Sequence, residues 1–279
     1  MLIPEPVVFA LLGLIIGSFL NVIIIRHNTG RSFAGRSGCM SCSKPLTPWM
    51  LIPVVSWIIL KRRCAHCGVR ISWQYPLVEI FTALLFIAVG MSTLDFFHKL
   101  LGFVFAALTV AIVAYDIRHT IMPDSWVYTA GAIAFVYRMS AAVMTGIPVT
   151  ASVVTALSGP FAAMPFVIIW YATRGRGIGW GDAKFALAVG WLLGAVSGLY
   201  AVMLSFVIGA VVSVCILLPL PYYARALAHW GILTRRSLKT FTMRSEVPFG
   251  PFLAAGMLFI WISQLFGIEN QLLTLVGFL

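Results

Sequence analysis

Long apolar runs, rather than alternating apolar and polar positions, dominate this chain. The first covers about Pro6 to Ile25; others cover about 76–93, 99–115, 125–145, 148–171, 182–196, 198–218 and 250–267. A helix needs roughly 20 apolar residues to cross the hydrocarbon core of a bilayer. The pattern therefore predicts an all-α polytopic membrane protein with about eight transmembrane helices. The short dyad alternations of a transmembrane barrel are not found. The sixth run is short for a span, and Gly190 and Gly194 weaken it further. No Lys or Arg precedes the first run, whereas a secretory signal peptide carries a basic stretch there, so this segment reads as a retained helix.

One sizeable polar segment, residues 26–75, separates the first helix (1–25) from the remaining membrane region (76–279). Composition agrees with this division. Of 279 residues 61% are hydrophobic and 10% charged, with a mean hydropathy of +1.00. Soluble domains carry about 25% charged residues, so this chain could not cover a soluble surface.

The net charge of +11 would be compatible with nucleic acid, but its placement gives another explanation. Arg26, Arg31, Arg36, Lys44, Lys61, Arg62, Arg63 and Arg70 lie between the first two helices. The next connection, about Met91 to His98, contains no Lys or Arg. Arg118 follows the third helix, Arg174 and Arg176 the fifth, and Arg225, Arg235, Arg236, Lys239 and Arg244 the seventh. Every second loop is thus basic, as positive-inside bias requires. These loops are expected in the cytoplasm, with both termini on the opposite side. A nucleic-acid partner is not expected.

The polar segment holds Cys39-Met-Ser-Cys42 and Cys64-Ala-His-Cys67, with 21 residues between the pairs. Two such knuckles can offer four thiolates to one tetrahedral Zn²⁺, closing a loop too small to bury its own core. Cys39, Cys42, Cys64 and Cys67 are therefore the expected ligands of a structural zinc. His66 falls outside the set because four cysteines complete it. Two disulfides and a redox dithiol are competing readings, and a reducing cytoplasm disfavours the disulfides. Cys215, in an apolar helix, reads as a packing residue.

The chain has only eight acidic residues. Glu5, Asp95 and Glu269 fall in outer loops or the tail and Glu246 in a basic loop, where solvation or charge balance accounts for them. Glu79, Asp116, Asp124 and Asp182 lie in or beside helices, where an ionisable group is costly and is a functional candidate. Asp116 closes the third helix and Asp182 opens the sixth, so the charge bias puts both at one membrane boundary. Two carboxyls meeting in a low-dielectric site share a proton. One can then act as base on a water while the other protonates a scissile amide. The alternatives for each aspartate are a helix cap or a partner for Arg118, Arg174 or Lys184. A phosphate-cradling role for the Gly-rich stretch before Asp182 lacks the strand–loop–helix unit it needs. A proton-coupled transporter is a further reading, although transporters hold such carboxyls near the midplane between repeats.

Several segments resemble one family. Gly179-Trp180-Gly181-Asp182-Ala183-Lys184 is similar to the GxGDxK signature of prepilin peptidases, which are GxGD intramembrane aspartyl peptidases. Asp116, followed eight residues later by Pro123-Asp124, resembles the family's other catalytic motif. Gly17-Ser-Phe-Leu-Asn21, Ile52-Pro-Val-Val-Ser56-Trp57, the two knuckles, Tyr75-Pro76-Leu-Val-Glu79 and Pro248-Phe-Gly-Pro251 resemble further family segments, spanning about residues 13–255. The resemblance implies catalytic roles for Asp116 and Asp182, with Asp124 as a cap or structural contact. It implies that Glu79 matters, with the substrate site as one reading. It implies a pilin or pseudopilin precursor as substrate, cut where a short basic leader meets an apolar helix, in the bacterial inner membrane. Members with the long cysteine-bearing loop typically also methylate the new amino terminus from S-adenosylmethionine. A peptidase without methyltransfer is the alternative within the family.

Overall fold

A computed structural model describes residues 4–30, 32, 35–144, 146, 148–219 and 247–268. Helices are its only extended elements: α1 (Glu5–Arg26), α2 (Val55–Ile59), α3 (Gln74–Gly90), α4 (Phe96–His119), α5 (Asp124–Met144), α6 (Val149–Ala172), α7 (Trp180–Leu193), α8 (Ala195–Val212) and α9 (Gly250–Leu265). A 3-10 turn (Pro48–Leu51) precedes α2, and a π-helical turn (Ser213–Leu217) continues α8. The eight predicted apolar helices are present, and α2 is the additional short one. Most of the predicted basic loop after the seventh (Arg225, Arg235, Arg236, Lys239 and Arg244), with Arg31, Glu246 and Glu269, lies outside the described residues.

Five of the helices, α1, α4, α5, α6 and α8 with its π turn, are long and apolar enough to cross a membrane, and the chain is a membrane protein. At 17 and 16 residues, α3 and α9 are shorter apolar helices. The 14-residue α7 reaches only about 21 Å at 1.5 Å per residue. It packs against α5, α6, α8 and α9, and most of its side chains are buried. The glycines that weaken this run as a free span serve that enclosure. A Cβ on Gly190 would overlap the Ser158 carbonyl of α6, so α6 and α7 approach to backbone distance only because it is absent. Gly194, at φ +90°, makes the corner between α7 and α8. Gln264 of α9 donates to the Leu193 carbonyl that this corner exposes, at 3.2 Å.

Local chemistry explains the ends of α4. Asp95 accepts hydrogen bonds from the Phe97 and His98 amides at 3.0 and 3.3 Å, capping the helix. Its carboxylate also bonds the His98 ring, which meets Ser140 of α5 at 3.1 Å. Asp95 is therefore more than the solvated loop residue expected from its position. Desolvation acts to raise this carboxyl, but the His98 and Phe97 hydrogen bonds outweigh it and hold Asp95 below the usual carboxylate range. At the other end Thr120 takes a left-handed conformation and its amide bonds the Asp116 carbonyl. Cys215 also departs from expectation: it is exposed in the π turn rather than packed inside.

The amino-terminal half is built on the α1–α3 contact. A Cβ on Gly13 would stand 2.5 Å from the Ala83 Cα, and one on Gly17 would stand 2.7 Å from the Glu79 Cα. Buried Asn21 donates to the Gly17 and Tyr75 carbonyls, fixing where α3 starts against α1. Gly17→Leu forces these helices apart. Thermal unfolding in detergent should show a lower midpoint, equivalent to roughly 1–3 kcal/mol; an unchanged midpoint would refute this close packing.

Candidate active site

Asp116 lies in the last turn of α4 and Asp182 is the third residue of α7. Both are buried, with 4% and 7% of their surfaces exposed. Gly250, the first residue of α9, donates its amide to Asp116 Oδ2 at 3.2 Å. The N-terminal end of a helix carries partial positive charge, so this contact favours a carboxylate there. A Cβ on Gly250 would stand 2.5 Å from the same oxygen and would also collide with the Met122 methyl group. Glycine is therefore required in Pro248-Phe-Gly-Pro251, and Pro251 suits the first turn of the helix.

Met122 joins the two aspartates sterically. Besides meeting Gly250, its Cβ stands 3.3 Å from where a Cβ on Gly181 would lie, one residue before Asp182. The Asp182 carboxyl folds back over the start of α7, with Oδ2 3.2 Å from the corresponding point on Gly179. Both glycines of the Gly-Trp-Gly-Asp stretch thus make room, one for the carboxyl and one for Met122. Neither has a positive φ, unlike Gly175 upstream. Asp116 and Asp182 thus converge on Met122 from opposite helices.

The cations that could have neutralised them are engaged elsewhere or form no ion pair with them. Lys184 donates to Asp124 Oδ1 at 2.7 Å and lies over the Tyr128 ring. Asp124, the first residue of α5, has a side chain 63% exposed in this ion pair. The Asp124–Lys184 pair therefore fastens the starts of α5 and α7 beside the buried carboxyls. Among the described residues neither Arg118 nor Arg174 forms a salt bridge with either aspartate.

An aromatic cluster joins the two halves of the chain here. His27, just after α1, packs on Tyr115 and Trp126 with ring centroids 5.3 and 4.6 Å apart, and Tyr115 directly precedes Asp116. On α3, buried Glu79 accepts a 2.7 Å hydrogen bond from the Val54 amide. Val54 holds φ +59°, a costly conformation for a β-branched residue, and this turn lies directly before α2. Glu79 thus ties the cysteine-bearing segment to the membrane region.

The cysteine segment contains two knuckles of the same design. In one, the Cys39 amide bonds the Lys44 carbonyl and the Ser43 amide bonds the Cys39 carbonyl; in the other, Cys64 pairs likewise with Val69 and Gly68. Ser43 and Gly68 both have positive φ, which completes each tight turn. The four sulfurs lie within 4.8 Å of one another, and none is in a disulfide. Cys39 and Cys67 Sγ are 3.8 Å apart. That matches a tetrahedron edge of about 3.8 Å for metal–sulfur bonds of about 2.3 Å. Backbone amides of Cys67 and His66 bring the Cys64 thiol down to about 7, whereas at Cys67 the backbone contact with Val69 is outweighed by burial and the neighbouring sulfurs, which push it up to about 11. A thiolate is the form that binds metal. Cys39, Cys42, Cys64 and Cys67 could hold one metal ion.

Gly250 and Met122 were not identified as site residues in the sequence, although Gly250 lies in a recognisable Pro-Phe-Gly-Pro segment.

The chain resembles known proteins along most of its length. Residues 11–93 match the Bacterial Peptidase A24 N-terminal domain, and residues 103–214 match the Type IV leader peptidase family. A prepilin leader peptidase/N-methyltransferase of Bacillus subtilis (strain 168) is 32% identical over 254 residues, covering 90% of this chain and 91% of the relative. Proteins of the same description from Aeromonas salmonicida (strain A449) and Neisseria gonorrhoeae are 28% and 27% identical. They cover 92% and 74% of this chain, and 89% and 80% of their own lengths. No solved structure matches. On this similarity, with both halves of the chain matched, the protein belongs to the type IV leader peptidase family.

Proposed function

We propose that this protein cleaves prepilin-like precursors with Asp116 and Asp182 as its catalytic pair, and methylates the amino terminus that cleavage creates. The observation that carries the peptidase reading is a pair of buried carboxyls in the last turn of α4 and the first turn of α7 that converge on Met122 and form no salt bridge among the described residues. The names of the relatives supply the substrate class and the second activity.

The pair holds one proton between them because two adjacent carboxylates repel. The ionised member takes a proton from water as it attacks the scissile carbonyl. The protonated member donates to the carbonyl oxygen; as the tetrahedral intermediate collapses it takes that proton back, while the other member passes the proton gained from water to the departing nitrogen. The pair titrates as a unit, so acid and base belong to the dyad. Gly250 holds Asp116 in place through its amide. Asp124 and Lys184 hold the two helix starts in register without entering the chemistry.

Charge bias puts the dyad and the cysteine segment at the cytoplasmic face of a bacterial inner membrane, with eight helices embedded. A precursor whose short basic leader runs into an apolar helix presents that junction at the same level. Cys39, Cys42, Cys64 and Cys67 hold a structural zinc, whose contribution is to cross-link a segment with little core of its own. S-adenosylmethionine supplies the methyl group.

Purified Asp116→Asn and Asp182→Asn variants should each cleave a prepilin more slowly by on the order of 10²–10⁴. Asp124→Asn removes only a half-exposed ion pair and should keep most of the rate. Near wild-type cleavage by either of the first two variants would refute the assignment. Mass spectrometry of the wild-type product should show one added methyl group at the new amino terminus.

Metal analysis provides a separate check. The purified chain should carry one equivalent of zinc, and Cys39→Ser should reduce it sharply; unchanged zinc would show that the cysteines are not its ligands.

A further inference from the structure

Residues 48–60, Pro-Trp-Met-Leu-Ile-Pro-Val-Val-Ser-Trp-Ile-Ile-Leu, contain no charged side chain, and Lys61-Arg62-Arg63 follow directly. Thirteen uncharged residues, all apolar but Ser56, are too few to span a bilayer; a stretch of this length is either core or interfacial. It is not core. The 3-10 turn and α2 that it forms have no buried residue. Trp49, Leu51, Ile52, Val55, Ile58 and Ile59 are exposed, the last two at 61% and 64%.

Its depth is set by Glu79. This carboxyl is the sixth residue of α3, about 7–8 Å along the helix, and it holds the Val54 amide at 2.7 Å. The segment therefore lies beside the second turn of an apolar helix rather than above it. The same helix has an outward stripe, Leu77, Phe81 and Leu84, that is also exposed.

The charged end needs an anionic partner. Arg62 lies over the Trp73 and Trp57 rings, 5.0 and 5.9 Å from their centroids, and the two indoles are 4.4 Å apart. Arg62 Nε, Trp57 Nε1 and Gln74 Nε2, all buried donors, have no acceptor among the described residues, while Lys61 and Arg63 are exposed. No carboxylate among the described residues forms a salt bridge with Lys61, Arg62 or Arg63.

We infer that residues 48–63 are an interfacial anchor: the apolar side chains enter the headgroup–acyl boundary, and Lys61, Arg62 and Arg63 bind phosphates of anionic phospholipids. The ordering of apolar face, indoles and cations is that of an in-plane amphipathic segment. A basic leader peptide is the wrong sign for this surface. The anchor fixes the cysteine knuckles against the membrane, since Cys64 follows Arg63 directly. This inference stands independently of the peptidase chemistry.

The full-length chain in nanodiscs provides the test, with photoreactive benzoylphenylalanine at Ile59. Adducts to lipid acyl chains are expected. Adducts to another segment of this chain or to added prepilin, or no adduct at all, would overturn the proposal. In nanodiscs of phosphatidylcholine with phosphatidylglycerol, the chain should retain phosphatidylglycerol selectively. Lys61→Gln with Arg63→Gln should weaken that retention by roughly fivefold per cation removed. Retention unchanged by the double substitution would contradict the headgroup contact even if Ile59 labels lipid.

Discussion

A buried carboxyl without a counter-charge is among the most costly groups a membrane chain can hold. Among the described residues neither Asp116 nor Asp182 is paired with a cation, and the surrounding architecture is arranged around that constraint. Gly179, Gly181 and Gly250 leave the space the carboxyls and Met122 occupy. The one lysine in the signature is bonded to Asp124 instead, so it secures the helices without neutralising the pair. The amide at the start of α9 gives Asp116 a hydrogen bond without a cation. A full ion pair would have lowered the cost of burial and also favoured ionisation of both carboxyls.

The same constraint accounts for the role of α7. A 14-residue helix enclosed by α5, α6, α8 and α9 is poorly suited to facing lipid, but it holds Asp182 rigidly. The amino-terminal half meets this arrangement at two points. His27 packs on the aromatic pair beside Asp116, and Glu79 fastens the cysteine segment to α3. The cysteine knuckles and the buried carboxyls are therefore parts of one connected structure.

Much of this was legible in the sequence because hydrophobic runs and loop charges are read residue by residue. The eight apolar helices, the four clustered cysteines and the placement of Asp116 and Asp182 at helix ends all follow from such patterns. Other features depend on contacts between distant segments. Gly250 lies 134 residues from Asp116, and only the fold shows why it lacks a side chain. Glu79 could be marked as unusual within an apolar helix, but its bond to the strained Val54 turn could not. Asp95 looked like a solvated loop residue because a helix cap and a partner on the same helix are invisible to charge counting. Cys215 looked like packing because apolar sequence does not separate core-facing from lipid-facing positions. The span count is harder to read because α7 is apolar enough to enter a membrane yet shorter than one.

The central claim is that Asp116 and Asp182 act as one unit. A double-mutant cycle tests it most directly, with prepilin cleavage measured for Asp116→Asn, Asp182→Asn and the two together under single-turnover conditions. If the carboxyls share one proton in one reaction, the double variant is no slower than the slower single variant. Losses that multiply would show two independent contributions and contradict the account.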